Sequence, residues 1–275
     1  MARLLPHKRL GVKGPWLVLI HGYMVNGGMF MPVEGALAQH YRLIIPDLRG
    51  YGGAWNWEGP YTLSQRAEDV MALISALTEG EPVWVLGYSM GGVIAQLLAV
   101  RYPERLEGLI LACTFAYKPS TTLEQWQGRL LGRVLRLLPP ASIANLIYPQ
   151  AFGSETFPVE VVEWYRKALQ STRLEVLLAD AEEIFRYDGR PFLPSIRHPT
   201  LVIGGTADFI VPAYHSQQIS RLIPQAQLIL YKGATHALIF THRRPFVRDV
   251  HRFILSAVHT PAVPNPHSAP SQSPQ

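Results

Sequence analysis

Short, continuous apolar runs recur along the chain, and segments with a helical pattern separate them. The runs occupy residues 16–20, 43–46, 83–86, 109–113, 200–204 and 227–231. A strand that is apolar at nearly every position fits a parallel sheet, because helices cover both faces of such a sheet. The alternation of strand-like and helix-like segments therefore predicts an α/β protein, with a mostly parallel central sheet flanked by helices.

Helix signals lie between these runs. Thr62, with Gln65 three positions later, forms a capping box at the start of a helix. The stripe that follows has helical spacing and consists of Ala67, Val70, Met71, Ile74 and Leu77. Pro245 suits the first turn of a last helix, which the pattern extends to about residue 257.

One stretch interrupts the alternation of strands and helices. Residues 117–196 contain helical patterns, with apolar stripes beginning at Leu123 and further patterns at 158–170 and 174–185. The sequence therefore predicts a helical insertion at 117–196, which divides the sheet body into 1–116 and 197–258. Residues 259–275 are rich in Pro, Ser, Gln and Asn, a composition that predicts a disordered tail.

The composition favours one large globular unit. The chain has 275 residues, of which 48% are hydrophobic and only 16% charged, so it does not resemble a disordered protein. Its single cysteine, Cys113, excludes an intrachain disulfide framework. The formal net charge of +5 includes a basic cluster at 242–244, followed by Arg248 and Arg252 at helical spacing. These positions fit the solvated face of a helix, so we expect no nucleic-acid partner.

A long uncharged segment raises the question of a membrane span. Residues 82–100 contain no Asp, Glu, Lys or Arg. Gly87, Gly91 and Gly92 divide this segment into a β-type half and a helical half, which favours a strand, a tight turn and a helix. The N-terminus has basic residues but no apolar run before Pro6. We therefore expect a soluble, cytoplasmic protein without a signal peptide.

That turn carries the first candidate for chemistry. Residues 87–91 read Gly-Tyr-Ser-Met-Gly, which matches G-x-S-x-G directly after a predicted strand and before a predicted helix. A serine in such a sharp turn needs small neighbours two positions away, and its hydroxyl is then exposed at the carboxyl end of the sheet. Ser89 is therefore the candidate nucleophile; the alternative is a Gly/Ser turn without chemistry.

A serine nucleophile needs a base and an acid that orients the base. Asp208 follows the run at 200–204, and His236 follows the run at 227–231, so both lie past the carboxyl ends of strands. The chain order Ser, Asp, His is the one found on α/β-hydrolase sheets. We therefore predict catalytic roles for Ser89, Asp208 and His236, although Asp208 could also be a simple turn residue.

Acyl transfer also requires backbone N–H groups directed at the oxyanion. The N–H of Met90, at the start of the predicted helix, is one candidate. The N–H of Tyr23, which follows His21-Gly22 after the first strong strand, is the other. His21 could serve as a base, but its position favours a structural role in shaping the loop.

The chain resembles the α/β-hydrolase superfamily over about residues 8–258. Besides the residues above, the stretch 47–52 resembles the D-x-R-G-x-G loop of that family, and 199–204 resembles the stretch before its acid. The stretch 89–106, SMGGVIAQLLAVRYPERL, is similar to the single-domain esterase and enol-lactonase branch. Ser89 stands where dehalogenases and epoxide hydrolases use aspartate, which disfavours both.

The resemblance implies an α/β-hydrolase fold with seven or eight strands, whose short first antiparallel strand could be absent here. It also implies that the insertion is a lid, and that the protein is a carboxylesterase acting on a small ester or lactone without cofactor or metal. The alternatives are a lactonase, an acyltransferase or perhydrolase using the same triad, and a weakly catalytic receptor or binding protein. Aromatic and apolar side chains predicted to line a substrate pocket are Trp126, Phe152, Trp164 and Leu238.

Overall fold

A seven-stranded sheet forms the centre of the molecule. The computed structural model describes residues 3–118, 121–138, 142, 143, 145 and 157–258. The strands are β1 His7–Leu10, β2 Trp16–Ile20, β3 Arg42–Pro46, β4 Val83–Tyr88, β5 Leu106–Ala112, β6 Thr200–Gly205 and β7 Ala226–Tyr231. Their order is β1-β3-β2-β4-β5-β6-β7. All neighbouring pairs are parallel except β1 and β3, which confirms the predicted mostly parallel sheet.

Burial along the strands follows their position in the sheet. Every residue of β2, β4 and β6 is buried, as expected for strands that are covered on both faces. The edge strand β1 is present but only four residues long, and it carries His7, Lys8 and Arg9. Charged side chains on an edge strand disfavour pairing with another sheet.

Nine helices accompany the sheet in the part of the chain that the structure describes, apart from short 3-10 turns. They are α1 Glu34–Leu37, α2 Leu63–Leu77, α3 Met90–Arg101, α4 Thr122–Leu137, α5 Val159–Gln170, α6 Leu174–Arg186, α7 Ala213–Leu222, α8 Leu238–Thr241 and α9 Arg243–Val258. None of these helices is long and apolar enough to cross a membrane.

The ends of two helices can be compared with the sequence signals. Helix α2 begins after Thr62, whose Oγ1 accepts a hydrogen bond from the Gln65 N–H at 3.0 Å, as the capping box indicates. Helix α9 begins at Arg243, two residues before the expected start at Pro245. Pro245 is accommodated there because the first N–H groups of a helix have no acceptor within the helix.

Helices pack on both faces of the sheet because side chains alternate along each strand. On one face, Val18 and Ile20 of β2 belong to a cluster with Val70 of α2 and Val93 of α3. On the other face, Leu17 and Leu19 belong to a cluster with α1 and α9. The two clusters place the carboxyl ends of the central strands at one edge of a rigid body.

Between β5 and β6, the described residues form the helices α4, α5 and α6. Helix α6 is bound to the body by Asp180, whose Oδ1 lies 2.5 Å from Nη1 of Arg66 on α2, and both side chains are fully buried. The Tyr51 hydroxyl also donates to Asp180 Oδ2 at 2.5 Å. Burial raises the pKa of Asp180 to about 6. The predicted tail at 259–275 lies outside the described residues.

Candidate active site

Ser89 lies between the last residue of β4 and the first residue of α3. Its backbone has φ +54° and ψ −119°, a conformation that a non-glycine residue rarely adopts. Hydrogen bonds hold it there: the Ser89 N–H donates to Ala112 O at 2.9 Å, and Thr114 Oγ1 donates to Ser89 O at 2.6 Å. Backbone strain of this kind persists only where the surrounding structure imposes it, and it is common at functional sites.

The glycines of the motif are required by close backbone contacts. A Cβ atom on Gly87 would lie 2.3 Å from the carbonyl oxygen of Gly91. A Cβ atom on Gly91 would lie 2.2 Å from the carbonyl oxygen of Ile20. Strand β4, helix α3 and the end of β2 therefore meet too closely for any side chain at these two positions.

Asp208 and His236 are directly paired. His236 Nδ1 and Asp208 Oδ2 are 2.7 Å apart, and Asp208 itself is buried. Asp208 Oδ1 accepts hydrogen bonds from the N–H groups of Ile210 and Val211, at 2.9 and 2.8 Å. These bonds fix the carboxylate, and a carboxylate acceptor at Nδ1 assigns the proton to that nitrogen. The Nε2 atom is then available as a base.

Cys113 is a neighbour of this pair that the sequence analysis did not assign. Its thiol is buried, and burial raises its pKa well above the usual range. The ligand atoms of Cys113, Asp208 and His236 lie within 4.8 Å of one another, a separation that could accommodate a metal ion. However, Asp208 and His236 are hydrogen-bonded to each other, and the raised pKa disfavours the thiolate that a metal would need. The donor set therefore fits a metal poorly.

The loop after β2 lies against Ser89. A Cβ atom on Gly22 would be 3.2 Å from Ser89 Cβ, so the loop backbone passes directly beside the serine. Within the described residues, the N–H groups of Tyr23 and Met90 donate no hydrogen bond to protein. Both are therefore available to a ligand oxygen, in keeping with the prediction made for them.

His21 holds this loop in place. Its Nδ1 is 2.8 Å from Gly22 O, and its Nε2 accepts the N–H of Leu48 at 2.9 Å. Together these bonds require the neutral ring with the proton on Nδ1. Burial lowers the pKa of His21 to about 4, which keeps the ring neutral. Its contacts are those of a structural residue, as its position in the sequence indicates.

Ser89 and His236 line the same cavity, which has a volume of about 250 Å³. Most of its wall is apolar. The lining residues are Gly22, Tyr23, Met24, Val25, Met29, Tyr88, Ser89, Phe115, Lys118, Trp164, Tyr165, Ala181, Ile184, Phe185, Phe209, Ile210, Val211, His236, Ala237, Ile239 and Phe240.

The four predicted pocket residues have different positions. Trp164 lies in the cavity wall, where its Nε1–H donates to Asn26 Oδ1 at 3.0 Å. Leu238 is fully buried in the core cluster beneath α9 and is not among the lining residues. Trp126 is 68% exposed on α4 and does not line the cavity either. Phe152 lies outside the described residues.

The comparisons with known proteins define the class of the chain. Residues 17–249 match the alpha/beta hydrolase family, and the chain therefore belongs to that family. The sheet order and the flanking helices described above are consistent with this fold.

Individual relatives give finer detail. The chain is 30% identical over 255 residues to a pimeloyl-[acyl-carrier protein] methyl ester esterase of Aeromonas hydrophila, covering 88% of this chain and 96% of that protein. It is similar to a thermophilic esterase from Thermogutta terrifontis, with 29% identity, a TM-score of 0.81 and coverage of 93% and 94% of the two chains. The enol-lactonase from Burkholderia xenovorans has 27% identity, a TM-score of 0.81 and coverage of 91% and 96%. The relatives are thus esterases and a lactonase.

Proposed function

We propose that the protein is a serine hydrolase of carboxylic esters, a carboxylesterase, with Ser89, His236 and Asp208 as its catalytic triad. The observation that carries the proposal is the 2.7 Å bond between His236 and Asp208 beside a cavity that Ser89 shares with His236. The esterases among the relatives support the reaction class.

In the first half of the reaction, Ser89 Oγ attacks the acyl carbon of the ester while His236 Nε2 accepts the hydroxyl proton. Asp208 keeps the imidazole in the required tautomer and stabilises the imidazolium that forms. The N–H groups of Tyr23 and Met90 bind the oxyanion of the tetrahedral intermediate. His236 then protonates the leaving alcohol, and the acyl group remains on Ser89 as an ester.

In the second half, His236 removes a proton from water, which attacks the acyl-enzyme, and Ser89 is regenerated with release of the acid. Every step uses side chains and backbone groups of this chain. The apolar wall suits a hydrocarbon-rich acyl or alcohol group. Because α5 and α6 supply Trp164, Tyr165 and Ile184 to that wall, we assign the insertion at 117–196 as a lid over the site.

The direct test compares wild type with Ser89→Ala on short-chain aryl esters. We expect turnover to fall by about 10³-fold or more, and labelling by a fluorophosphonate probe to be lost. Ser220→Ala is a matched control, because Ser220 Oγ bonds only to Gln217 O within its own helix. If Ser89→Ala kept wild-type turnover, the assignment would be wrong. A wild type that neither labels nor turns over would indicate a binding protein instead.

A lactonase is the second candidate, because a solved enol-lactonase covers nearly the whole chain at 27% identity. The same triad would open a cyclic ester by the same two steps. A lactone panel measured beside linear esters of equal size decides between them. Higher kcat/KM for the lactones would favour the lactonase, and added hydrogen peroxide or alcohol as acceptor would reveal acyl transfer.

A further inference from the structure

A single ammonium group lies in the otherwise apolar wall of the cavity. Lys118 is the only Asp, Glu, Lys or Arg among the described residues that line it. Its side chain is only 9% exposed, and Nζ donates a hydrogen bond to Ile210 O at 2.8 Å. The rings of Phe115 and Phe185 each lie 5.8 Å from Nζ. A buried lysine at the wall of a cavity therefore faces mainly apolar surroundings.

The acidic neighbours of Lys118 are engaged elsewhere. The nearest carboxylate oxygen in the described residues, Glu124 Oε1, is 3.9 Å from Nζ, which is beyond hydrogen-bond length. The same oxygen is 2.5 Å from Nε2 of His215. The carboxylate of Asp208 accepts its hydrogen bonds from His236 and from the loop that contains Ile210. Lys118 thus lacks a direct carboxylate partner among these residues.

Burial of a charge without such a partner is unfavourable, and a ligand that supplies the missing charge offsets the cost. An ammonium has three N–H donors, and the bond to Ile210 O uses one of them. Burial also lowers the pKa of Lys118, while the negative charges of Glu124 and Asp208 act in the opposite direction. A bound anion would likewise favour the charged form.

We propose that Lys118 binds an anionic group of the substrate, and that the protein therefore prefers esters or lactones that carry a carboxylate besides the scissile bond. The inference rests on the proposed ester hydrolysis and specifies its substrate class. A carboxylate suits the site better than a phosphate dianion, because the cavity wall offers one ammonium and no arginine fork. Lys118 would act as a specificity residue at the opposite end of the substrate from the reacting carbonyl.

The experiment begins with the wild-type protein and pairs of substrates. Monomethyl esters of straight-chain dicarboxylic acids of graded length are compared with the same esters whose free carboxylate is a carboxamide. A second series places the carboxylate on the alcohol side, as acetate esters of ω-hydroxy acids and of their amides. We expect kcat/KM for the carboxylate to exceed that for the amide by about tenfold or more in at least one series. The series that shows the preference identifies the side that reaches Lys118.

Variants then attribute the preference to Lys118. In Lys118→Met, which keeps an unbranched side chain, we expect KM for the anionic ester to rise until the preference disappears, with little change for the neutral amide. Lys118→Arg should retain a preference for the anion. Lys167→Met is the matched control, because Lys167 is 79% exposed on α5. A structural role through Ile210 would instead lower turnover of both members of each pair equally.

The outcomes separate the two proposals. If wild type hydrolyses neutral esters and labels at Ser89 but shows no preference for the carboxylate, the assignment of Lys118 is wrong and the esterase proposal stands. Equal losses for both substrates in Lys118→Met would overturn the assignment as well. If wild type hydrolyses no ester of either kind and Ser89 does not label, it is the proposed function that fails. The wild-type comparison needs no variant, so a misfolded variant leaves the test intact.

Discussion

The hydroxyl of Tyr23 donates a hydrogen bond to the carbonyl oxygen of Leu177 at 2.6 Å, which joins the loop after β2 to helix α6. The backbone N–H of the same tyrosine faces the region of Ser89 as a candidate oxyanion donor. The neighbouring Met24 N–H contacts the Tyr51 hydroxyl at 3.5 Å, and Tyr51 in turn bonds to Asp180 of α6. The position of this loop therefore depends on helix α6, which is remote from it in sequence.

Tyr23→Phe removes the bond to Leu177 and leaves the backbone N–H in the chain. We expect kcat for an ester to fall by about two- to tenfold with little change in KM, because the lost bond positions a donor to the transition state. Steady-state kinetics measures the change. The control is Tyr102→Phe, whose hydroxyl makes no hydrogen bond within the described residues. Equal losses in the two variants would contradict a positioning role for Tyr23.

Asp208→Asn tests the orientation of His236. The amide can no longer stabilise the imidazolium or impose the tautomer with Nε2 free, so kcat should fall by about 10³- to 10⁴-fold. Fluorophosphonate labelling of Ser89 should slow in parallel. Asp188→Asn serves as the control, since Asp188 is exposed and pairs with Arg190. Unchanged labelling in Asp208→Asn would remove Asp208 from the proposed triad.

The buried ion pair between Asp180 and Arg66 gives a prediction about stability. Asp180→Asn leaves the Arg66 guanidinium buried without its carboxylate, and we expect the free energy of unfolding to fall by about 3–5 kcal/mol. Urea unfolding measures it. Glu182→Gln on the same helix removes an exposed pair with Arg186 and should have a far smaller effect. Comparable losses would mean that the buried pair does not hold α6 to the body.

The pKa of His21, lowered to about 4 from the ordinary 6.5, predicts a pH dependence of stability. Between these values the unfolded chain binds the proton that the folded chain excludes. This contribution, about 3 kcal/mol, is complete above pH 6.5 and is lost as the pH falls toward 4. The raised pKa of Asp180 acts in the opposite direction over part of this range. NMR of the His21 ring is therefore the decisive measurement, and a midpoint near 6.5 would contradict the prediction.

Gly91→Ala tests the close packing beneath Ser89. The added Cβ would lie 2.2 Å from Ile20 O, so the turn must shift, and we expect turnover to fall by about 10²-fold or more. Gly35→Ala is the control, because a Cβ there meets nothing within 4 Å and alanine favours its helix, α1. Retained turnover in Gly91→Ala would show that the turn tolerates displacement.

Much of the fold could be predicted because its signals are local. Parallel strands buried on both faces appear as continuous apolar runs, and Thr62 and Gln65 mark the start of α2. The G-x-S-x-G segment specifies a turn in which glycines avoid backbone contacts, as Gly87 and Gly91 do here. Since the carboxyl ends of parallel strands share one edge, the sequence also predicted that Ser89, Asp208 and His236 would approach one another.

The composition of the cavity wall could not be predicted in the same way. Helical periodicity groups residues on one face of a helix, but the rotation and docking of that helix depend on contacts with distant elements. Trp126 is therefore exposed, Leu238 is in the core and Trp164 is at the wall, although all three are apolar.

The sequence alone thus determined the strands, the turn at Ser89 and the chain order of the three proposed catalytic residues, because each depends on neighbouring positions and strand direction. Only the tertiary structure decided that Lys118 enters the cavity, that Cys113 lies against Asp208, and that Tyr23 reaches Leu177. Each of these contacts joins segments that are distant in the chain. Their geometry is set by how the body and the helices between β5 and β6 pack together.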